Sequence, residues 1–160
     1  MGLESSIISA LQSRSQTVAA AESCTGGLVA HRLTNVPGAS AVFQEGVITY
    51  SNEVKTKLLG VPRALIETYG AVSAEVATAM AEGIQKKSGA TFGLATTGIA
   101  GPSGGSSEKS VGTVFLAIAE SEKPTYVWRE FFPGERLAFK EKAAEILLQQ
   151  FFLQIVGLRS

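Results

Sequence analysis

The chain has 160 residues, of which 45% are hydrophobic and 18% charged, and its fourteen Lys and Arg balance fourteen acidic residues. A chain of this length can bury a sizeable core, so we expect a single domain over residues 1–160. The neutral balance excludes a nonspecific nucleic-acid binder. One cysteine and one histidine exclude an intramolecular disulfide and a Cys/His zinc site within the chain.

The N-terminal segment predicts a short amphipathic helix with Leu3, Ile7, Ile8 and Leu11 on one side. It contains Glu4 and no apolar run long enough for a signal peptide or a membrane span. We therefore expect a reduced, cytoplasmic protein that has no membrane partner.

Strand and helix patterns then alternate along the chain. Strands are predicted in QTVAAA, VFQEGVITYS, TFGLATTG, SVGTVFLAIAE and TYVWREFF. Helices are predicted in GGLVAHRLTNVPG, NEVKTKLLG, VPRALIETYG and SAEVATAMAEGIQKKSG, and a long one from Glu135 to Val156. This alternation favours an α/β fold, a three-layer α/β/α sandwich with a mixed, mainly parallel sheet.

Three polar loops begin where predicted strands end: ESCTGG, YSNEVK and TTGIAGPSGGSSEK. Ligands of open α/β sheets bind beyond the carboxyl ends of the strands. We therefore expect a site formed by these loops.

The first loop places three candidate nucleophiles, Ser23, Cys24 and Thr25, side by side. A serine needs a neighbouring base. His31 lies eight residues beyond Ser23, on the following helix. Eight residues of helix rise about 12 Å, which is well beyond hydrogen-bond reach. A histidine base within the chain is therefore excluded.

A neutral lysine is the remaining type of base. Lys55 follows the end of the second strand, and Lys57 lies roughly 200° further around the same short helix, so one of the two faces inward. The alternative for Lys55 is a solvated lysine that pairs with Glu53 or Glu122.

Ser23 also has an alternative role, as the N-cap of the helix after TGG. The glycines favour a functional role, because they let a substrate approach the N–H groups at the helix start, which suit an oxyanion or a phosphate. Arg136, in the first turn of the last helix, opposes the helix dipole and so predicts an anionic partner. A salt bridge to Glu135 or another surface acid is the alternative for Arg136.

The last helix carries apolar residues on two faces. Leu147, Phe151 and Ile155 line one face, and Leu148 and Phe152 lie about 100° around it. Because exposed apolar patches are usually covered, we expect a homo-oligomer that buries the second face. The alternative is a helix that lies deep in the core.

Five motifs in this order, AESCTGGL, GVITYSNEVK, YGAVS, TTGIAGPSGGSSEKSVGTV and FPGER, resemble the CinA C-terminal domain family over nearly the whole chain. The resemblance implies a stand-alone amidohydrolase that converts nicotinamide mononucleotide to nicotinic acid mononucleotide and ammonia, without cofactor or metal. Two other readings remain: a non-catalytic nucleotide-binding protein associated with competence or DNA damage, and a deamidase of another small amide.

The resemblance also implies roles for single residues. Ser23 would be the nucleophile, Lys55 its base, Tyr50 a residue that positions or activates the pair, and Thr97 and Arg136 residues that support catalysis or bind the nucleotide. The expected substrate-binding residues are those of the strand-end loops and the last helix: Thr25, Gly26, Gly27, Asn52, Gly98, Gly101, Gly104, Gly105 and Arg136.

Overall fold

A computed structural model describes residues 1–159. The helices are α1 (Leu3–Ser13), α2 (Leu28–Thr34), α3 (Asn52–Leu59), α4 (Arg63–Tyr69), α5 (Ala74–Ser88) and α6 (Arg136–Ile155). The strands are β1 (Val18–Glu22), β2 (Phe43–Ile48), β3 (Phe92–Gly98), β4 (Thr113–Glu120) and β5 (Tyr126–Phe131). A short 3₁₀ turn at Ala39–Ala41, which the sequence analysis did not predict, leads into β2.

The five strands form one mixed sheet in the order β2-β1-β3-β4-β5. β1 pairs in parallel with β2 and β3, while β4 runs antiparallel to β3 and to β5. Four of the five strands therefore point the same way. The predicted sandwich with a mainly parallel sheet is confirmed. Its parallel half brings the carboxyl ends of β1, β2 and β3 to one edge.

Each face of the sheet carries its own helical layer and core, because successive strand side chains point to opposite faces. Val18, Phe92 and Leu94 face α1, α2 and α6, while Ala19 and Ala95 face α3, α4 and α5. The second face is lined by small side chains, which lets α5 approach the sheet closely.

The homo-oligomer was predicted from α6, and the structure contradicts its premise. Leu147, Leu148 and Phe151 are fully buried within the chain and Phe152 is half-buried, because α1, α2 and the sheet pack against the helix. The alternative, a helix deep in the core, is therefore correct, and the oligomeric state stays a prediction without this support. α6 is 20 residues long, yet no helix within residues 1–159 is long and apolar enough to cross a membrane.

Candidate functional site

The three strand-end loops meet in a cleft of about 270 Å³. Its lining joins the end of β1, the β2–α3 loop, the segment before α5, the glycine loop after β3 and the start of α6. The lining residues are Ser23, Cys24, Tyr50, Asn52, Lys55, Ala71, Val72, Thr97, Gly98, Ile99, Ala100, Gly101, Ser103, Gly104 and Arg136. The structure thus places the cleft where the sheet topology predicts a ligand site.

Ser23 and Lys55 meet at the bottom of this cleft. The Nζ atom of Lys55 lies 3.2 Å from Ser23 Oγ and donates to the carbonyl oxygen of Thr49 at 2.8 Å. Ser23 directly follows β1, and Lys55 lies on the inner side of α3, which Ser51 caps by accepting the Val54 N–H. Two residues 32 positions apart in sequence are therefore in hydrogen-bond contact.

Lys55 is buried in the site, with 1% of its surface exposed, whereas Lys57 is exposed on the opposite side of α3. The alternative of a solvated lysine paired with Glu53 or Glu122 is therefore wrong. Burial lowers the pKa of the Lys55 ammonium below its usual value of 10.5. Desolvation disfavours the charged form, so the site favours the neutral amine that a base requires.

Cys24 lines the same cleft but is a poor nucleophile. Burial, together with the nearby Glu22 carboxylate, raises the pKa of the thiol to about 12. Because the thiolate is the reactive form of a cysteine, this thiol is inert at neutral pH. Of the three adjacent candidates, Ser23 is the one whose side chain contacts the Lys55 amine in the described part of the chain.

The N-cap alternative for Ser23 is wrong. The N-cap of α2 is Gly27, and the first N–H groups of the helix donate to the buried carboxylate of Glu22, Val29 at 2.9 Å and Ala30 at 3.0 Å. The same contacts correct the expectation that the helix-start N–H groups serve an oxyanion, because Glu22 already occupies these two.

Four residues expected to bind substrate lie outside the cleft: Gly105, on the glycine loop, and the neighbours Thr25, Gly26 and Gly27. Thr25 is fully buried, and its hydroxyl contacts Glu22 and Thr96. Gly26 and Gly27 border a separate pocket together with His31 and Lys140. The chain turns at positive φ through both glycines, 60° and 104°. The Gly26 N–H closes this turn by donating to the Ser23 carbonyl oxygen at 3.1 Å, and both glycines lie outside the cleft.

Arg136 and Tyr50 form one rim of the cleft. The guanidinium of Arg136 donates to Tyr50 Oη at 2.6 Å and to the carbonyl oxygen of Gly101 at 2.8 Å. No carboxylate lies within ion-pair distance of Arg136 in the described chain. The surface salt bridge predicted as the alternative is therefore absent there, and the charge of Arg136 remains available to an anion.

The glycine loop, which contacts Arg136 through Gly101, forms a further part of the lining. Gly98, Gly101 and Gly104 line the cleft, whereas Gly105 does not, because it packs against the backbone of Val111. Thr97 is buried in the lining and donates to the Ala71 carbonyl oxygen at 2.8 Å.

Sequence reasoning did not assign several lining residues, among them Ala71, Val72 and Ser103. Ala71 and Val72 belong to YGAVS, one of the motifs that carry the family resemblance, and that motif is the signal that points to them. No group of three or more His, Cys, Asp or Glu side chains in residues 1–159 is arranged to hold a metal ion.

The family model described as the CinA C-terminal domain matches residues 1–154. A CinA-like protein of Chlorobium luteolum is 50% identical over 159 residues, which are 97% of this chain and 37% of that protein. A CinA-like protein of Geotalea daltonii is 62% identical over 107 residues, 67% of this chain and 26% of that protein. The chain thus spans roughly a third of the length of these relatives.

Solved structures of similar size match over almost their whole length. The competence/damage inducible protein CihA of Agrobacterium tumefaciens superposes with a TM-score of 0.91 at 37% identity, covering 99% of this chain and 94% of that one. The competence damage-inducible protein A of Klebsiella pneumoniae superposes with a TM-score of 0.93 at 30% identity, covering 98% and 97%.

Proposed function

The chain belongs to the CinA C-terminal domain family, and from that premise we propose that it hydrolyses the amide of nicotinamide mononucleotide by a Ser/Lys mechanism. The observation that carries this proposal is the buried Lys55 amine in contact with Ser23 Oγ. The substrate itself comes from the family resemblance, and the cleft supports it with a reactive serine at its bottom and an arginine at its rim.

The first half of the reaction forms an acyl-enzyme. Neutral Lys55 takes the proton of Ser23 Oγ while this oxygen forms a bond to the carboxamide carbon. The tetrahedral intermediate collapses by breaking the C–N bond, and the Lys55 ammonium returns the proton to the departing nitrogen as ammonia leaves. Thr49, whose carbonyl oxygen accepts from Nζ, keeps the amine directed at Ser23 throughout.

The second half releases the acid. Water attacks the ester carbon while Lys55 accepts a proton from it, and the Lys55 ammonium returns this proton to Ser23 Oγ as the C–O bond to the serine breaks. The carboxylic acid that leaves releases its proton to solvent and departs as the carboxylate.

The oxyanion of both intermediates needs N–H donors. Cys24 lines the cleft, and within residues 1–159 its backbone N–H has no acceptor, whereas the Ser23 N–H already donates to Thr96. We assign the Cys24 N–H as one oxyanion donor.

The substrate's phosphate requires a cation and several donors near the cleft mouth. Arg136 supplies the charge, and Gly98, Gly101 and Gly104 supply a backbone that a ligand can approach without Cβ obstruction. Tyr50, which accepts from Arg136 and is 58% exposed, and Asn52 also line the cleft. We expect both to contact the ribose or the pyridine ring.

The decisive experiment measures ammonia release from nicotinamide mononucleotide by the purified chain, together with formation of nicotinic acid mononucleotide. We expect turnover without added metal, retained by Cys24→Ala and rising with pH as Lys55 loses its proton. A folded protein that releases no ammonia contradicts the proposal and favours a binding protein. Release from other small amides in a substrate panel, but not from the nucleotide, favours a different deamidase.

A further inference from the structure

Behind the nucleophile, four groups form one hydrogen-bonded chain that ends on a buried carboxylate. The Ser23 N–H donates both to the Thr96 carbonyl oxygen at 3.0 Å and to Thr96 Oγ1 at 3.2 Å. Thr96 Oγ1 lies 2.8 Å from Thr25 Oγ1, and Thr25 Oγ1 donates to Glu22 Oε1 at 2.6 Å. Glu22, Thr25 and Thr96 are 2%, 0% and 0% exposed, so solvent does not compete for these bonds.

The direction of every bond follows from the donors that each group owns. Both Glu22 oxygens accept, from the Val29 and Ala30 N–H groups, and Thr25 donates its single hydroxyl proton to Oε1. Thr25 Oγ1 can then only accept, and the proton between the two threonines comes from Thr96. The Thr96 oxygen is left with lone pairs for the Ser23 N–H. Each group in this hydrogen-bonded chain therefore donates to the next, from the Ser23 N–H through Thr96 and Thr25 to Glu22.

We propose that Thr25 and Thr96, anchored by Glu22, are positioning residues that fix the backbone of Ser23 so that its Oγ stays at Lys55 and the Cys24 N–H stays free for the substrate. This inference rests on the proposed function of the same site. It assigns Thr25 a role behind the nucleophile, in place of the substrate contact predicted from the sequence.

The hydrogen-bonded chain from Ser23 to Glu22 can be interrupted without removing the cap that Glu22 gives to α2. Glu22 accepts the Val29 and Ala30 N–H groups independently of Thr25, through Oε1 and Oε2. Replacing Thr25 by valine therefore keeps the volume and the helix cap but removes the link to Thr96. Replacing it by serine keeps the hydroxyl. The same pair of substitutions at Thr96 removes or keeps the hydroxyl that accepts from the Ser23 N–H, while the bond to the Thr96 carbonyl oxygen stays in both variants.

The test compares Thr25→Val with Thr25→Ser and Thr96→Val with Thr96→Ser, after circular dichroism has shown that each is folded. Two rates are measured: turnover of nicotinamide mononucleotide, and labelling of Ser23 by a serine-directed fluorophosphonate, followed by intact mass. A nucleophile displaced by about 1 Å loses about 100-fold in rate, so we expect both rates to fall by about 10- to 100-fold in the valine variants. KM should change by less than about twofold, and the serine variants should keep both rates within about threefold of the wild type.

Valine variants that are folded and label at the wild-type rate would overturn the inference, as would serine variants as slow as the valine ones. A fall in the fraction of folded protein at unchanged rate per active site would show a structural role alone and overturn it too. If one valine variant does not fold, the other carries the test. If the wild-type protein labels at Ser23 but releases no ammonia, the proposed substrate is wrong. The labelling rates of the variants then still test the positioning role. Wild-type protein that does not label at all contradicts both.

Discussion

The most informative residue of this protein is Lys55. A buried ammonium without a carboxylate partner costs several kcal/mol, so a lysine in such a place is expected to lose its proton instead. Its neighbours are the Ser23 hydroxyl and the Thr49 carbonyl oxygen, which suit an amine that donates one bond and accepts another. Burial of Lys55 in its charged form would therefore destabilise the fold, whereas the neutral amine is well suited to act as a base.

The first prediction concerns the Ser23–Lys55 pair. Ser23→Ala and Lys55→Met should each lower kcat by roughly 10³-fold or more, and the double variant should be little slower, because residues that act as one unit are not additive. Steady-state kinetics of the four proteins measures this. The matched control is Lys57→Met on the exposed side of α3, which should keep its activity. Multiplicative effects of the two single variants would contradict the assignment.

The second prediction concerns Arg136. Loss of a charge-assisted hydrogen bond costs about 1.5–3 kcal/mol, so Arg136→Ala should raise KM for nicotinamide mononucleotide by about 10- to 100-fold. Nicotinamide riboside lacks the phosphate, so the wild type and the variant should process it equally poorly. The exposed Arg63, outside the cleft, provides a control through Arg63→Ala. Wild-type efficiency with the riboside equal to that with the nucleotide would refute a phosphate role for Arg136.

At the scale of elements, the site depends on the loop between β1 and α2 and on the close packing of α5 against the sheet. The end of β1 joins α2 through a loop whose geometry is held from within by Glu22, and α5 packs on the small-residue face of the sheet. The packing of α5 also brings the start of this helix, and with it Ala71 and Val72, to the cleft.

The third prediction tests the packing of α5. A Cβ atom at Gly83 would overlap the carbonyl oxygen of Leu59, which belongs to the rigid backbone at the end of α3. Gly83→Ala should therefore lower the free energy of unfolding by about 1–3 kcal/mol, although alanine favours a helix over glycine by about 1 kcal/mol. Urea unfolding measures this.

The control for Gly83→Ala is Gly2→Ala, where the nearest atom to the new Cβ is Glu4 Oε2 at 3.8 Å and the backbone has φ −71°. This change should alter stability by a few tenths of a kcal/mol to about 1 kcal/mol, because alanine is a poorer N-cap than glycine. A Gly83→Ala protein as stable as the wild type would show that α3 and α5 can separate at no cost.

At the scale of the whole molecule, the burial of Lys55 couples proton binding to folding. The unfolded chain binds the proton up to a pH near the usual pKa of 10.5, whereas burial lowers the pKa in the folded state. Between these two values the unfolded state holds more protons. Stability must therefore rise with pH across that window and level off above it.

The fourth prediction follows from this coupling. The difference in free energy of unfolding between the wild type and Lys55→Met should increase with pH by up to about 1.4 kcal/mol per pH unit, from the lowered pKa of Lys55 up to its unfolded value. Urea unfolding at a series of pH values measures it. Lys57→Met should follow the wild type in parallel at every pH. A Lys55→Met curve parallel to the wild type would mean that Lys55 stays charged in the fold.

The sequence by itself determined the architecture and the place of the site. Alternating strand and helix periodicity requires crossovers and a covered sheet, and polar loops after β1, β2 and β3 must then meet at one edge. Residue types also decided the chemistry in part, since one distant histidine left lysine as the base. These inferences depend on repeating geometry and on composition, which a single sequence carries directly.

Only the tertiary structure decided which side chains of the loops enter the cleft. Periodicity does not extend into an irregular turn, so the sequence indicated neither that Thr25 turns inward to Glu22 nor that Gly26 and Gly27 border a separate pocket outside the cleft. The contact between Ser23 and Lys55 joins two elements 32 residues apart, and it depends on how α3 packs against the sheet. The burial of α6 likewise depends on α1, an element at the other end of the chain, and a pattern read within one helix does not contain its neighbours.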